Sequence, residues 1–387
     1  MAGNPYWARM PYVVLLVVAL ATASCSASSV ATASPSSASR AKTAEPSPTA
    51  SPSSPPPSRV VTGQPSGAPH PASKNVGPGP VHVIARFEGA PAGLATSPDG
   101  SIYDAHSVHQ NANPIQVIRY VPGQGVTATS ARLPGRSLYG SRLAFAGGAV
   151  WVLSDQGAAG SAAYRLDPVS LAVLSKVALP NVATAIAAAP SGLWVSSGHD
   201  LLRLDPVSGG ITAQVPLTGH VTNIAANPSG DLLYVSTDAP MLPKDRVPLY
   251  ELSAWTGTVL RRTGAGTADL RGVGSLAATD TGVWTTSATG MSGVLAFFRA
   301  GDLHRLAIGE GVGVGTNAVK VAAAGGAVWR TDAGGRSLIC VNQTTGGNIA
   351  LRSTSVPPAP PFAVTPTGLY AATWAGLARI TPPPACG

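Results

Sequence analysis

An aromatic residue recurs at a nearly constant spacing along most of this chain. Each one lies in a short apolar segment that follows a run of small residues, as in AVWVL, GLWVS and GLYAA. The seven positions, separated by 48, 43, 40, 50, 45 and 41 residues, are Tyr103, Trp151, Trp194, Tyr234, Trp284, Trp329 and Tyr370. Repeats of this length suit four short strands with their turns, which make one blade of a β-propeller. The sequence therefore predicts an all-β fold, a seven-bladed β-propeller.

Each repeat follows the same pattern of strands and turns. A small-residue strand such as LAFAGG at 143–148 or KVAAAG at 320–325 comes first, and a short turn with Gly, Ser or Asp leads to the aromatic strand. The alanine runs favour helix by propensity, but their repetition at a fixed offset from a turn favours strands. A third strand ends in an Asp-Pro corner, as in YRLDPVS at 164–170 and LLRLDPVSGG at 201–210, and a fourth, outer strand follows.

The last repeat contains only three strand patterns, FAVTP, GLYAATW and LARIT, before three consecutive prolines. The segment VHVIARF at 81–87 precedes the first complete repeat and has no partner within it. We therefore predict that this N-terminal strand completes the last blade, which removes the open sheet edges of the ring. The predicted propeller domain spans residues 81–387.

The N-terminus predicts export. In residues 1–24, Arg9 precedes an apolar run from Tyr12 to Ala21, which is the length of a signal-peptide core and too short to span a bilayer. The string Ala21-Thr22-Ala23-Ser24-Cys25 resembles a bacterial lipobox, and that resemblance implies cleavage before Cys25 and lipidation of its thiol. The alternative is a simple secretory signal that is cut nearby. The predicted location is the outer face of the cytoplasmic membrane or the cell envelope.

Residues 25–80 are predicted to be the lipidated cysteine followed by a disordered linker. Positions 26–80 contain 12 Pro and 14 Ser but no Leu, Ile, Phe, Tyr, Trp or Met, too little apolar surface to offset the entropy of folding. Without Arg9 and the linker charges, the propeller has 20 basic and 16 acidic residues. No basic cluster is interleaved with aromatic residues, so we expect no nucleic-acid partner.

Three cysteines fit this compartment. If Cys25 carries the lipid, Cys340 and Cys386 remain, and two remaining cysteines of an exported protein are usually bridged. Cys340 lies near the end of the predicted third strand of blade six, and Cys386 follows the predicted third strand of blade seven, so both are expected near the same face. We therefore predict a Cys340–Cys386 disulfide.

Propeller ligands usually contact one face, formed by loops between blades and between second and third strands. The polar residues predicted to lie in those loops are Asp104, His106, His109, Arg136, Tyr139, Asp155, His199, His220, Lys244, Asp269 and Arg271. His106 and His109, with Asp104 nearby, also have a spacing that could ligate a divalent metal. No second cluster has such spacing, so no metal or other cofactor is predicted.

The Leu-Asp-Pro corner after a strand resembles the YVTN/NHL-type propeller repeats of bacterial surface proteins and of the streptogramin lyase-like group. The likeness covers all seven repeats. It implies the propeller fold and, for the lyase-like group, a metal-assisted lyase or hydrolase with a catalytic His and Glu in late blades. The repeats after the fourth hold one histidine, His304. The sequence therefore favours a monomeric, non-enzymatic binding head for an extracytoplasmic protein, peptide or glycan, and leaves the lyase as the alternative.

Overall fold

The computed structural model describes a set of residues that belong to one compact unit, Gly67–Gly387. They are 74–75, 81–87, 89–107, 114–135, 142–157, 160–238, 248–263, 273–289, 292–312, 321–324, 327–331, 337–342, 348–353, 358–365, 368–373 and 375–381. Cys25 and Cys386 lie outside these residues, so the predicted lipidation and disulfide stay predictions. Within the described part, no helix is long and apolar enough to cross a membrane.

The described secondary structure consists of strands arranged as seven sheets. Two strands precede the repeats, β1 (Lys74–Asn75) and β2 (Val81–Arg86). Blade I contains β3 (Ala90–Thr96), β4 (Ile102–Ser107), β5 (Ile115–Val121) and β6 (Gly125–Thr129). Blade II contains β7 (Leu143–Ala146), β8 (Ala149–Asp155), β9 (Ser161–Leu166) and β10 (Val173–Leu179). Blade III contains β11 (Ile186–Ala189), β12 (Gly192–Ser197), β13 (Asp200–Leu204) and β14 (Ile211–Pro216).

The remaining blades continue the pattern. Blade IV contains β15 (His220–Ala226), β16 (Leu232–Asp238), β17 (Leu249–Ser253) and β18 (Val259–Arg262). Blade V contains β19 (Val273–Thr279), β20 (Gly282–Thr289), β21 (Ser292–Arg299) and β22 (Arg305–Val312). Blade VI contains β23 (Val321–Ala324), β24 (Ala327–Thr331), β25 (Ser337–Val341) and β26 (Asn348–Ser353). Blade VII contains β27 (Pro358–Thr365), β28 (Gly368–Thr373) and β29 (Gly376–Ile380).

The first strand of every blade is the innermost one. Each first strand contacts the first strands of the two neighbouring blades, and β27 contacts β3, so the ring is closed. Blade VII has the strand order β27-β28-β29-β2, in which β2 pairs antiparallel with β29. The predicted seven-bladed propeller and its closure by the N-terminal strand are therefore confirmed.

One short segment differs from the sequence prediction. Lys74–Asn75, assigned to the disordered linker, forms a parallel fifth strand on the outer edge of blade VI, where it pairs with β26. Edge pairing uses backbone N–H and C=O groups and needs no apolar side chain, so composition does not reveal it. The N-terminal segment thus pairs first with blade VI, through β1, and then with blade VII, through β2.

The seven aromatic residues connect neighbouring blades. Every one lies on a second strand and is paired across the ladder with an alanine of the first strand: Tyr103–Ala95, Trp151–Ala144, Trp194–Ala187, Tyr234–Ala225, Trp284–Ala277, Trp329–Ala322 and Tyr370–Ala363. All seven aromatic side chains are buried. An alanine leaves room for a large ring close to the crowded axis, which explains the repeated small-residue runs of the sequence.

Each aromatic ring packs against the next blade. Tyr103 of blade I lies in one apolar cluster with Leu143 and Val150 of blade II, and its Oη donates a 2.9 Å hydrogen bond to the Pro168 carbonyl. Trp194 of blade III similarly donates through Nε1 to the Ala254 carbonyl of blade IV, at 3.2 Å. The core therefore consists of seven interfaces between blades, which explains why the aromatic residues recur once per repeat.

Candidate functional site

Two ends of the blades can be distinguished by their turns. At the end that we call the mouth end, second strands finish, first strands begin, and successive blades are connected. At the opposite end, the corner end, lie the turns between first and second strands and those between third and fourth strands. Because adjacent strands within a blade are antiparallel, residues from all blades can be assigned to one end directly from the strand bounds.

Five of the predicted site residues are described. Asp155 is the last residue of β8, His199 lies in the turn between β12 and β13, and His220 is the first residue of β15, so all three lie at the mouth end. Asp104 and His106 lie inside β4 and not in the loop that follows it. The others lie outside the described residues: His109, Arg136, Tyr139, Lys244, Asp269 and Arg271.

The strand position of Asp104 and His106 corrects the expected loop position. The β4 ladder continues to Ser107, with His106 opposite Pro91 of β3 and Gln116 of β5. Asp104 and His106 are two residues apart, so they share one face of the strand with a spacing of roughly 7 Å. That face also carries Ile102, which packs in the cluster between blades I and VII. We call these two residues the Asp104–His106 pair.

Asp104 is completely buried. Its exposed fraction is 0%, and neither carboxylate oxygen has a hydrogen-bond partner among the described residues. Removal from water disfavours the charged form, and this burial raises the pKa of Asp104 well above its ordinary value. Burial therefore favours the neutral carboxylic acid, which has one O–H donor.

His106 is buried and neutral as well. It is 2% exposed, its ring stacks on Phe87 with centroids 4.2 Å apart, and Nδ1 has no partner in the described part of the chain. Burial lowers the pKa of His106 to about 4. Phe87 directly follows the closing strand β2, so the closure of the ring positions the aromatic side chain that covers His106.

Blade I departs here from a contact that other blades repeat. Three residues after the aromatic, blades II to IV have a hydroxyl that bonds the incoming connection. Ser154 Oγ donates to the Pro134 carbonyl, Ser197 Oγ accepts from Asn181 N–H, and Thr237 Oγ1 donates to the Thr218 carbonyl. His106 occupies the equivalent position in blade I and makes no such bond to a described residue. The difference coincides with the blade junction where the ring closes.

Arg142 is a residue that the sequence analysis missed. It directly precedes β7, is 0% exposed, and none of its three guanidinium nitrogens has a hydrogen-bond partner within the described ranges. Burial lowers the pKa of Arg142 to about 10, against an opposing contribution from Asp155. A signal was available: two residues before the alanine that lies opposite the aromatic residue, only blades II and VI have a charged residue, Arg142 and Lys320.

Two histidines from neighbouring blades meet at the mouth end. The rings of His199 and His220 lie 4.0 Å apart between centroids, with an interplanar angle of 31°. The His220 N–H donates to Asp238 Oδ1 at 3.0 Å, and the Leu217 N–H donates to the His199 carbonyl at 2.9 Å. Among the described residues, no three His, Cys, Asp or Glu side chains form a group that could hold a metal ion. The histidine pair therefore offers polar, stackable surface.

Comparisons with known proteins identify the fold. No family model matches the sequence. The curated proteins contain no match either. Solved structures with the same architecture include the following three. Hydrazine synthase from Kuenenia stuttgartiensis has a TM-score of 0.61 at 12% identity, covering 77% of this chain and 97% of that chain.

The other two structures cover similar shares. The WD40 domain of Toxoplasma gondii coronin has a TM-score of 0.56 at 12% identity, covering 82% of this chain and 89% of that chain. An inactive variant of virginiamycin B lyase from Staphylococcus aureus, with quinupristin, has a TM-score of 0.55 at 15% identity, covering 79% of this chain and 99% of that chain. At these identities the likeness shows the propeller fold, which the streptogramin lyase-like group shares.

Proposed function

We propose that this protein is an exported, membrane-tethered propeller that binds a protein, peptide or glycan through its mouth end, without catalysing a reaction. The observation that carries the proposal is where the most deeply buried Asp, Glu, His and Arg side chains lie and which of them lack hydrogen-bond partners. Among described Asp, Glu, His and Arg residues, those at most 2% exposed are Asp104, His106, Arg142 and Glu251. The first three have buried polar atoms without partners among the described residues, and all three lie between the aromatic layer and the mouth end.

The corner end differs in this respect. Its turns hold six described aspartates, and each accepts a hydrogen bond from a nearby backbone or side-chain donor: Asp99, Asp167, Asp205, Asp231, Asp280 and Asp302. Glu251, on β17, accepts from the Gly301 N–H at 2.9 Å. These six aspartates and Glu251 therefore have evident structural roles. Buried polar groups without partners are rare in proteins and call for a further explanation, which a ligand at the mouth end would supply.

The histidine pair supports the same surface. His199 and His220 come from different blades, so a ligand that covers both would contact the junction of blades III and IV. Imidazole rings provide both hydrogen bonding and stacking, which suits peptide backbones and sugar rings alike. A protein, peptide or glycan ligand needs no metal and no nucleophile.

The binding surface can be tested with a photo-reactive amino acid in cells that produce the protein. When the photo-reactive amino acid replaces His220, we expect a discrete cross-linked product, because in these cells the mouth end should be in contact with its ligand. Protease or glycosidase sensitivity of the product would identify its class. The matched control is His304, an exposed histidine in the turn between β21 and β22 at the corner end. Products at His304 but not at His220 would contradict the proposal.

The tether rests on the lipobox-like string before Cys25. We expect Cys25→Ala to move the protein from the membrane fraction to the soluble fraction or the medium, because the acylated thiol is the proposed attachment. Ser26→Ala, which leaves the cysteine in place, should remain with the membrane. Membrane association that is unchanged in Cys25→Ala would indicate an uncut signal anchor instead.

The alternative function is a metal-assisted lyase or hydrolase. The virginiamycin B lyase variant was solved with quinupristin, so a propeller of this architecture can hold a small molecule. The resemblance implies a catalytic histidine in a late blade, but His304 lies at the corner end, away from the candidate site. Binding without catalysis is therefore the function that the described geometry supports best.

A further inference from the structure

We propose that Arg142 anchors an anion-binding site near the mouth end, for a ligand that carries a carboxylate or phosphate group. This inference rests on the proposed function, since it names the chemistry of one part of the same surface. It starts from a fully buried guanidinium whose three nitrogens have no partner among the residues that the structure describes.

The backbone of Arg142 is held in place on both sides. Its N–H donates to the Ala92 carbonyl of blade I at 3.3 Å, and its carbonyl accepts from the Leu153 N–H of blade II at 2.9 Å. The first bond crosses between two blades, and the second extends the ladder of β7 and β8. The side chain therefore extends from a fixed point at the start of an innermost strand, which is a rigid base for recognition.

The direction of the side chain follows from strand alternation. Leu143 packs in the cluster shared with blade I, whereas Ala144 packs in the cluster shared with blade III. Residues two apart share a face, so Arg142 faces blade III, as do Leu153 and, two residues further, Asp155. Asp155 is close enough to favour the charged form of Arg142. It does not bond the guanidinium, and its Oδ1 accepts from the Gly157 N–H at 2.9 Å.

An unpartnered buried guanidinium is unfavourable, because the charge has left water without gaining a counter-ion. With its pKa lowered only to about 10, Arg142 is still a cation at neutral pH. A neutral carbonyl ligand would leave that charge uncompensated, whereas an oxyanion would neutralise it. The planar guanidinium fork matches carboxylate and phosphate oxygens with two parallel hydrogen bonds, so these anions are the class that Arg142 would select.

The test is the thermal unfolding of the full chain in acetate, phosphate or chloride at matched ionic strength. We expect the wild-type Tm to rise by about 3 °C in one of the first two salts, at roughly tenfold excess over the dissociation constant. Arg142→Met should lose that rise. Arg330→Met removes another buried arginine, on β24, and should retain it. A rise in acetate alone indicates a carboxylate ligand, and a rise in phosphate alone indicates a phosphate ligand.

A second variant gives a prediction of opposite sign. Asp155→Asn removes the negative charge that influences Arg142, so it should enlarge the rise in the effective salt. General salt effects on stability act on all variants equally and cancel in the comparison. The inference is wrong if Arg142→Met keeps the full rise, or if neither salt raises the wild-type Tm.

The result does not depend on the cross-linking experiment. Failure at His220 with anion dependence intact would contradict the macromolecular ligand but retain the anion site. A cross-link at His220 without anion dependence would retain the macromolecular ligand but contradict the anion site.

Discussion

A chain that lacks residues 26–88 is expected to lose the single cooperative unfolding transition of the propeller, or to unfold at least about 10 °C lower. This deletion removes β2, which pairs with β29 from Val81 opposite Ile380 to Arg86 opposite Gly376. Ladder hydrogen bonds contribute about 1 kcal/mol each, so their loss costs roughly 5 kcal/mol before any apolar contact is counted. The deletion also removes Ala85, which is buried in the cluster between blades VII and I.

The effect should extend to the whole domain, because every blade is held by its two neighbours. Without β2, blade VII has three strands and an unpaired edge on β29, and His106 loses its stacking contact with Phe87. Circular dichroism and calorimetry would measure the transition. The matched control is a chain that lacks only 26–73, which keeps both β1 and β2 and should unfold like the full protein. An unchanged Tm in the longer deletion would show that β2 does not stabilise the ring.

Replacement of Asp104 by asparagine is expected to stabilise the protein increasingly as the pH rises above 3.8, the ordinary pKa of an aspartate. Burial raises the folded-state pKa of Asp104 above that value. Between the two pKa values the unfolded chain releases a proton that the folded chain keeps, so folding stability falls with rising pH. Asparagine has nearly the same shape as aspartate but does not titrate, so it adds no such pH dependence to the folding stability. The advantage of Asp104→Asn should grow by up to ~1.4 kcal/mol per pH unit until the folded pKa is reached.

His106 makes the opposite contribution in the wild type. Its pKa is lowered from 6.5 to about 4, so the unfolded chain binds the extra proton in this interval and stability is lost as the pH falls through it. The two slopes therefore oppose each other over the part of the interval from about pH 4 to 6.5 that lies below the folded-state pKa of Asp104. Because His106 is present in both proteins, the difference between Asp104→Asn and wild type isolates Asp104.

Urea unfolding across mildly acidic to neutral pH would measure this difference. Asp205→Asn is a control of opposite sign, since Asp205 accepts from the N–H groups of Ser208 and Val207, which lower its pKa. That variant should lose stability above the ordinary pKa and approach the wild type in acid. A pH-independent difference for Asp104→Asn would mean that Asp104 stays ionised in the folded state.

Features set by local patterns could be predicted from the sequence. The aromatic period identified seven blades because each ring fills one interface between blades, and that interface occurs once per repeat. The small-residue runs contain the alanine that lies opposite each ring. The Asp-Pro corners form the predicted turns, where Asp167 accepts from the Val169 and Ser170 N–H groups. Closure by residues 81–87 followed from counting strands, since the last repeat was one strand short.

Other features were decided only by tertiary structure. The pairing of Lys74–Asn75 with β26 depends on a free backbone edge, and backbone groups have no side-chain signature. The burial of Asp104 and His106 depends on how blade VII packs against blade I. The neighbouring sequence does not record that contact, and it therefore suggested an exposed loop. Arg142 belongs to no local motif, and its lack of partners among the described residues emerges only where two neighbouring blades enclose it. Periodic local packing thus determined the scaffold, whereas contacts between residues distant in the chain determined which polar groups lost water without gaining a partner.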